Sequence, residues 1–386
     1  MSDGYPLAGV KVLDLTQYVA GPYCSQVLAD LGATVLKVER PGRGDVYRGQ
    51  GPVFLHGESV SFLALNRGKR SIAMDLREEA DRAALRALAA EADVLVENMT
   101  PGTLARYGLG YEELSEVAPR LVYCSISGFG QRGPMAGAGA YDLTIQALSG
   151  LMSMTGHPGQ PPAKIPVAAL DFGSALYAVI GIQAALWQRQ STGRGQWVQT
   201  SLLETSLAWL SMHVGTRAAG GEEPGPLGTR SPFFAPYEAY ATADGYIVVV
   251  GTGGGDGWER FCVAIGRPDL IEDERFADNS LRVRNVEALR AEVEERMGSA
   301  PTAHWEAELR AAGVPSAPVQ TLDQVLGSEQ VAALGSVREA EHPVAGAVSE
   351  VRLPIEFSAA RSTAEGAAPA LDEHAGIGFG EAGDGR

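Results

Sequence analysis

Over the first 200 residues, short apolar runs alternate with longer stretches patterned like helices. The short runs read as buried strands at Val10–Thr16, Val35–Glu39, Ser71–Leu76, Val94–Asn98 and Leu121–Ser127. Between them the pattern predicts helices over Gly21–Leu31, Glu78–Ala92, Thr103–Tyr107 and Tyr111–Ala118. Strands with no polar face, separated by helices, predict a mostly parallel sheet covered on both sides. The Gly- and Pro-rich stretch Gly220–Pro226 marks a boundary. Beyond it the texture changes to a strand at Tyr246–Gly251, a helix at Trp258–Ile265 and a charged amphipathic helix at Leu281–Met297. Ser316–Val319 and Thr321–Leu334 then predict a return to strand-helix packing. The tail from Ser358 is rich in Ala, Gly and acids, and its last ten residues are expected to be mobile.

One polar position interrupts the most apolar part of the chain. The segment Pro166–Ser174 (PVAALDFGS) leads into Ala175–Trp187, almost wholly apolar, and ends at Gly193. This predicts a buried helix with a glycine C-cap. Asp171 then stands at its N-terminus, where unpaired N–H groups and the macrodipole favour the ionised carboxylate. Two readings are open: an ordinary N-cap, for which Asp is a preferred residue, or a nucleophile toward an acyl group. The 13 residues from Ala175 to Trp187 fall short of the ~20 needed to span a membrane.

Composition narrows the partners. A net charge of −16 argues against nucleic acid, whose backbone calls for a basic surface. Yet between Lys37 and Arg77 there are eight Lys or Arg against four Asp or Glu. Such an island is either a polyanion site or a solvated face balanced by acids in space. Cys24, Cys124 and Cys262 are scattered, which argues against a disulfide framework. With no signal-peptide pattern at the start, the protein is expected to be cytoplasmic. His157, His213 and His304 are isolated, so no metal is expected, and Ser174 and Ser206 have no recognisable His partner. The loop Gly251–Gly257 fails the dinucleotide fingerprint because its sixth position is Asp256.

Several motifs in order, LAGVKVLDLT (Leu7–Thr16), AGPYCSQ (Ala20–Gln26), LGATVLKVE (Leu31–Glu39), NRGKRSI (Asn66–Ile72), DVLVEN (Asp93–Asn98) and GFGQRGP (Gly128–Pro134), resemble family III CoA-transferases. Tyr141 with Asp142, then Asp171, GRGQ (Gly193–Gln196) and APY (Ala235–Tyr237) continue the likeness. The resemblance implies an α/β fold with a Rossmann-like large domain, a smaller α+β domain and an interlocked, ring-like homodimer. The large domain would take residues 1–200 and 317–386, the small one 230–299, with linkers at 201–229 and 300–316. The implied reaction moves CoA from an acyl-CoA to a small carboxylic acid through aspartyl anhydride and aspartyl-CoA intermediates. CoA is then a substrate, with no tightly bound cofactor, no metal, no nucleic acid and no membrane.

By position in these motifs the resemblance makes Asp171 the nucleophile. It assigns CoA contacts to Val19, Ala20, Arg40, Met74, Arg77, Asn98, Met99, Arg106 and Tyr141; Gln17 and Val19 fall where the family varies. The related racemases carry a His-Asp pair where this chain has Tyr141 and Asp142. A phenol titrating near ~10 suits a two-base proton shuttle poorly. An isomerase of that branch and a non-catalytic acyl-CoA binder remain as alternatives. Only Gly225–Arg230 stands where oxalate-using members carry a glycine-rich lid, so whether a lid of that type operates is left open by the sequence.

Overall fold

The computed structural model describes residues 4–251 and 255–379. By internal contacts the chain divides into two compact units. The first comprises Met1–Met152, Lys164–Glu223 and Gln330–Arg386; the second, Ser153–Ala163 and Pro224–Glu329.

The first unit is built on a six-stranded sheet. In chain order it runs β1 (Lys11–Leu15), α1 (Ala20–Asp30), β2 (Thr34–Glu39), a small hairpin of β3 (Phe54–Leu55) and β4 (Glu58–Ser59), α2 (Val60–Asn66) and β5 (Lys69–Ala73). There follow α3 (Glu79–Glu91), β6 (Val94–Glu97), α4 (Tyr111–Val117), β7 (Val122–Ser127), α5 (Asp142–Leu148) and α6 (Leu151–Met154). The long α7 (Ala169–Thr192), β8 (Trp197–Ser201), α8 (Leu202–Trp209) and α9 (Ser211–Ala218) complete the run. The strands lie in the order β5-β2-β1-β6-β7-β8, and every pair is parallel.

Counting only these strands, that is the 3-2-1-4-5-6 order of doubly wound sheets. Their ligands settle where the order reverses, outside the carboxyl ends of the strands. The reversal lies between β1 and β6, so Thr16–Ala20 and Asn98–Thr103 face that crevice.

Alternation along the strands explains why both faces are covered. Val12, Val35, Val94, Val96 and Val122 pack against α1 and α7, with Cys24, Leu28, Ala178 and Ile182. Leu13, Leu36, Leu95 and Tyr123 pack on the other face against Leu85, Ala89 and Leu114 of α3 and α4. Each such side chain, fully buried, contributes roughly 1.5–3 kcal/mol.

Helix α7 is 24 residues long and ends on Gly193 in the left-handed region, φ 70°, as the sequence predicts. By length and composition alone it could cross a membrane; half of its most apolar stretch is buried within the fold. The sequence reading took only its central 13 residues and so placed it below that threshold.

In the second unit, β9 (Tyr237–Ala241), β10 (Tyr246–Val250) and the later β11 (Ser316–Pro318) form an antiparallel sheet. Helices α10 (Gly257–Ala264), α11 (Asn279–Arg284), α12 (Val286–Met297) and α13 (Thr302–Ala311) bury Trp258, Phe261, Leu289, Val293, Met297 and Trp305 with it. Beyond β11 come α14 (Leu322–Leu326), α15 (Glu329–Leu334) and the hairpin β12 (Val337–His342)–β13 (Gly346–Val351).

Several expectations are corrected here. The stretches expected as linkers, 201–229 and 300–316, contain α8 and α9, and α13. The helix expected over Leu281–Met297 is two helices broken at Asn285, whose side-chain amide bonds the Arg275 carbonyl at 2.9 Å. Ser316–Pro318 does not rejoin the large sheet; it pairs with β10. The tail packs as far as Phe379, 7% exposed against the α3 face of the sheet. Residues 380–386 of the expected mobile end, and Thr252–Gly254 of the glycine loop, lie outside the described residues.

Candidate active site

Two clefts meet at the reversal of strand order. One, about 360 Å³, is lined by Gln17, Arg40, Met74, Asp75, Arg77, Met99, Thr103 and Tyr107. The other, about 470 Å³, is lined by Gln17, Tyr18, Val19, Ala20, Tyr47, Asn98, Met99, Thr103, Gly128, Tyr141 and Asp171. Gln17, Met99 and Thr103 border both, so the two adjoin.

The edge between them is fixed by reciprocal bonds. The Gln17 N–H donates to Asn98 Oδ1 at 3.0 Å, and Asn98 Nδ2 donates to the Gln17 carbonyl at 2.8 Å. Of the residues expected to meet CoA, Arg40, Met74, Arg77 and Met99 line the first cleft, and Val19, Ala20, Asn98, Met99 and Tyr141 the second. Arg106 borders neither; exposed, it donates to Thr103 Oγ1 at 3.2 Å, and Thr103 borders both. Arg77 is held by Asp75, whose carboxyl it keeps well below the usual range through hydrogen bonds and charge. A phosphate entering there competes with that carboxylate.

Asp171 is not an N-cap. It is the third residue of α7, and the N-cap position is Ala168, with no side-chain capping bond. The end of the helix is instead capped across 28 residues by Asp142, whose Oδ2 accepts the N–H of Leu170 at 2.7 Å and of Asp171 at 3.4 Å. Among the described residues no hydrogen bond reaches the Asp171 carboxylate itself. Burial, and then the like charge of Asp142, push its pKa up to about 7. The sequence reading expected the helix end to favour the ionised form. Asp142 occupies those N–H groups, and the sign reverses. What results is an unpaired, basic carboxylate facing a cleft, the condition of a carboxylate nucleophile.

Beneath the crevice lies a fully buried ionic cluster that explains the basic island. Lys37 Nζ sits 2.9 Å from Asp45 and 3.9 Å from Asp14, and donates to the Thr16 carbonyl at 2.8 Å. Lys69 Nζ is 3.1 Å from Asp14 and also reaches Asn66 Oδ1 and the Pro22 carbonyl. Burial alone would raise the Asp14 carboxyl; Lys37, Lys69 and the hydroxyls of Ser25 and Thr16 hold it down at about 2. Burial lowers Lys69 to about 8 in spite of Asp14. Arg48 and Arg67 are likewise paired, with Glu39 and Asp30. Half of the island's eight cations, Lys37, Arg48, Arg67 and Lys69, are therefore internal scaffolding, while Arg40 and Arg77 border the cleft.

Tyr18 adds an aromatic that the sequence reading passed over. Its φ is +66°, a left-handed backbone that costs a bulky residue roughly 1–3 kcal/mol. Its N–H is held at 3.1 Å by Asp45, the partner of Lys37. The buried ion pair thus fixes the strained turn. Gly21 follows where a Cβ would come within 2.2 Å of Thr16 Cβ, so α1 can start that close to β1 only on glycine. Among the described residues no group of three His, Cys, Asp or Glu could hold a metal ion.

A family model described as CoA-transferase family III matches residues 7–375. The human succinyl-CoA:glutarate CoA-transferase is 39% identical over 374 residues, 97% of this chain and 85% of that protein. The acetyl-CoA:oxalate CoA-transferase of Acetobacter aceti is 39% identical over 329 residues, 85% of this chain and 84% of that protein. A crystal structure of a CaiB/BaiF family protein from Brucella suis superposes with a TM-score of 0.86 at 40% identity, covering 96% of this chain and 98% of that one.

Proposed function

The chain belongs to CoA-transferase family III, and on that premise we propose that it passes CoA from an acyl-CoA to a free dicarboxylic acid through its own Asp171. The observation that carries this reading is the unpaired Asp171 carboxylate, its pKa pushed up to about 7, in a cleft adjoining the one that Arg40 and Arg77 border. The dicarboxylic class is taken from relatives named for succinate, glutarate, oxalate and mesaconate.

In this scheme the nucleotide end of CoA lies in the first cleft, its phosphates toward Arg40 and Arg77. Arg106 acts through Thr103 at the junction, and Met74, Asn98, Met99, Val19 and Ala20 line the path to Asp171 and Tyr141. The Asp171 carboxylate attacks the thioester carbonyl, forming a mixed anhydride and releasing CoA thiolate. The thiolate attacks the aspartyl carbonyl, giving aspartyl-CoA and freeing the donor acid. The acceptor carboxylate then attacks aspartyl-CoA, and the returning thiolate takes the new acyl group and frees Asp171. Each step conserves the acyl bond energy, so neither ATP nor a tightly bound cofactor is required. CoA enters and leaves as part of the substrates.

We further infer that the protein works as a homodimer. The first unit leaves apolar side chains exposed on α5, α7, α8 and α9, among them Leu148, Ile180, Leu207, Met212 and Trp187, the last 75% exposed. Exposed apolar side chains on helices packed against one another are what an interaction site presents. We place the protein in the cytoplasm, where the free thiols of Cys24, Cys124 and Cys262 would persist.

Assaying several acyl-CoA donors against paired mono- and dicarboxylic acids tests the reading: CoA should appear on the dicarboxylic acids. Transfer to none of the acids, with any donor, would contradict it.

The pH profile follows from the raised carboxyl. The nucleophile must be ionised, so kcat/KM should fall about tenfold per pH unit below about 7. Asp142→Asn removes the like charge while its Oδ1 can still accept the Leu170 N–H. The acid limb should then move to lower pH. An unmoved limb would show that Asp142 does not set the titration.

A further inference from the structure

Resting on the transferase reading, we propose that Tyr18, paired with Tyr141, is the specificity residue that holds the far carboxylate of a dicarboxylic acyl group while its near carboxyl is bonded to Asp171. The cleft around Asp171 has no Arg, Lys or His among its lining residues. Among the described residues of this chain, the donors that can meet a second carboxylate there are therefore neutral ones. Three phenols are there to meet it: Tyr18, Tyr47 and Tyr141 all line the cleft.

They form one cluster. The Tyr18 ring stands edge-on to Tyr47, centroids 5.7 Å apart, and edge-on to Tyr141 at 5.9 Å. Tyr18 is thus the centre of the cluster, in ring contact with both other phenols. Each phenol carries one O–H that can be donated to a ligand. Tyr141 is itself fixed at the start of α5, its N–H donating to Thr144 Oγ1 at 3.0 Å.

Nothing in the packing of the core calls for Tyr18 in this posture. Its backbone is left-handed, at φ +66°, and is kept so by Asp45, which is ion-paired to Lys37 at 2.9 Å with both side chains fully buried. Backbone strain held in place by a buried ion pair beside a cleft is characteristic of a group that must be aimed. The aimed group here is a phenol O–H. The neighbouring Tyr141 phenol, and then burial, raise its pKa, so it stays a neutral donor at physiological pH. Hydrogen bonds from neutral donors to a charged acceptor are strong enough to discriminate between acids.

The test compares glutarate with butyrate as acceptors, using one acyl-CoA donor, for the wild type and for Tyr18→Phe and Tyr141→Phe. Phenylalanine keeps the ring contacts and removes only the hydroxyl. The wild type should prefer glutarate. In Tyr18→Phe the glutarate-to-butyrate ratio of kcat/KM should fall about 10- to 100-fold, mostly through KM for glutarate. Tyr141→Phe should lower it in the same direction. An unchanged ratio in Tyr18→Phe, or a wild type indifferent between the two acids, would overturn the inference and leave the transferase reading standing. A wild type that transfers CoA to no acid would remove both.

Discussion

Replacing Asp171 with asparagine should abolish CoA transfer and, at the same time, make the protein more stable at pH 8. The amide is nearly the same shape but is not a nucleophile, so turnover should fall at least about a thousandfold. The stability gain follows from the position of the carboxyl. Its folded pKa of about 7 lies above the ordinary value of 3.8, so the folded state holds a proton that the unfolded chain has lost. Wild-type stability must then decline as pH rises between those two values, because a buried charge next to Asp142 is being created. Asparagine carries no such charge. Its advantage should be absent near pH 4 and grow to on the order of 2–4 kcal/mol above pH 7. Denaturant unfolding at both pH values measures it, and CoA affinity within about tenfold of wild type shows that the site has kept its shape. Asp171→Ala guards against activity regained by deamidation. A variant no more stable at pH 8 than wild type would mean that Asp171 is not held as an unpaired charge.

The second large effect is expected from Asp14, which touches no substrate. Asp14→Asn takes the shared counter-charge from Lys37 and Lys69, both fully buried. Lys37 keeps Asp45, but Lys69 is left with only the oxygens of Asn66 and Pro22. Removing one member of a buried ionic cluster costs about 3–5 kcal/mol, because the remaining charge stays desolvated. Since the Asp14 carboxyl is held at about 2, its contribution is complete above pH 4 and is lost as pH falls toward 2. The gap between variant and wild type should accordingly close on acidification. Urea titrations at pH 7 and pH 3 test both statements. A loss below about 1 kcal/mol at pH 7 would show that the lysines find other partners.

How far the chain announced this arrangement depends on the range of the interaction concerned. The strands β1, β2, β6 and β7 were legible because a strand buried on both faces is apolar over most of its length, a pattern that needs no partner to be seen, whereas β5 (KRSIA) showed only at its Ser71–Ala73 end. The sixth strand, Trp197–Ser201, alternates with polar Gln199 and Thr200 at the sheet edge and gave no such signal. Asp171 was legible as a lone acid opening an apolar helix. Its electrostatics were not, because they are set by burial in the folded chain and then by Asp142, 29 residues away in the chain. The same holds for the basic island. Lys37 and Lys69 look like surface cations until the parallel pairing of β1, β2 and β5 brings them to Asp14. Tyr18 escaped notice because its strained backbone has no signature in residue type; glycine or asparagine is the usual occupant of that region. Tyr141 and the arginines were found through family likeness, and the structure places all but Arg106 on the two clefts.

The central claim is that the acyl group and CoA pass through the side chain of Asp171. Incubating the protein with an acyl-CoA, quenching with hydroxylamine and mapping peptides by mass tests this most directly. An aspartyl anhydride or thioester is converted to a hydroxamate, which marks the residue. The account predicts the mark on the peptide carrying Asp171, dependent on acyl-CoA and absent from Asp171→Asn. Sustained transfer with no mark on that peptide, or a mark on another residue that survives the substitution, would contradict it.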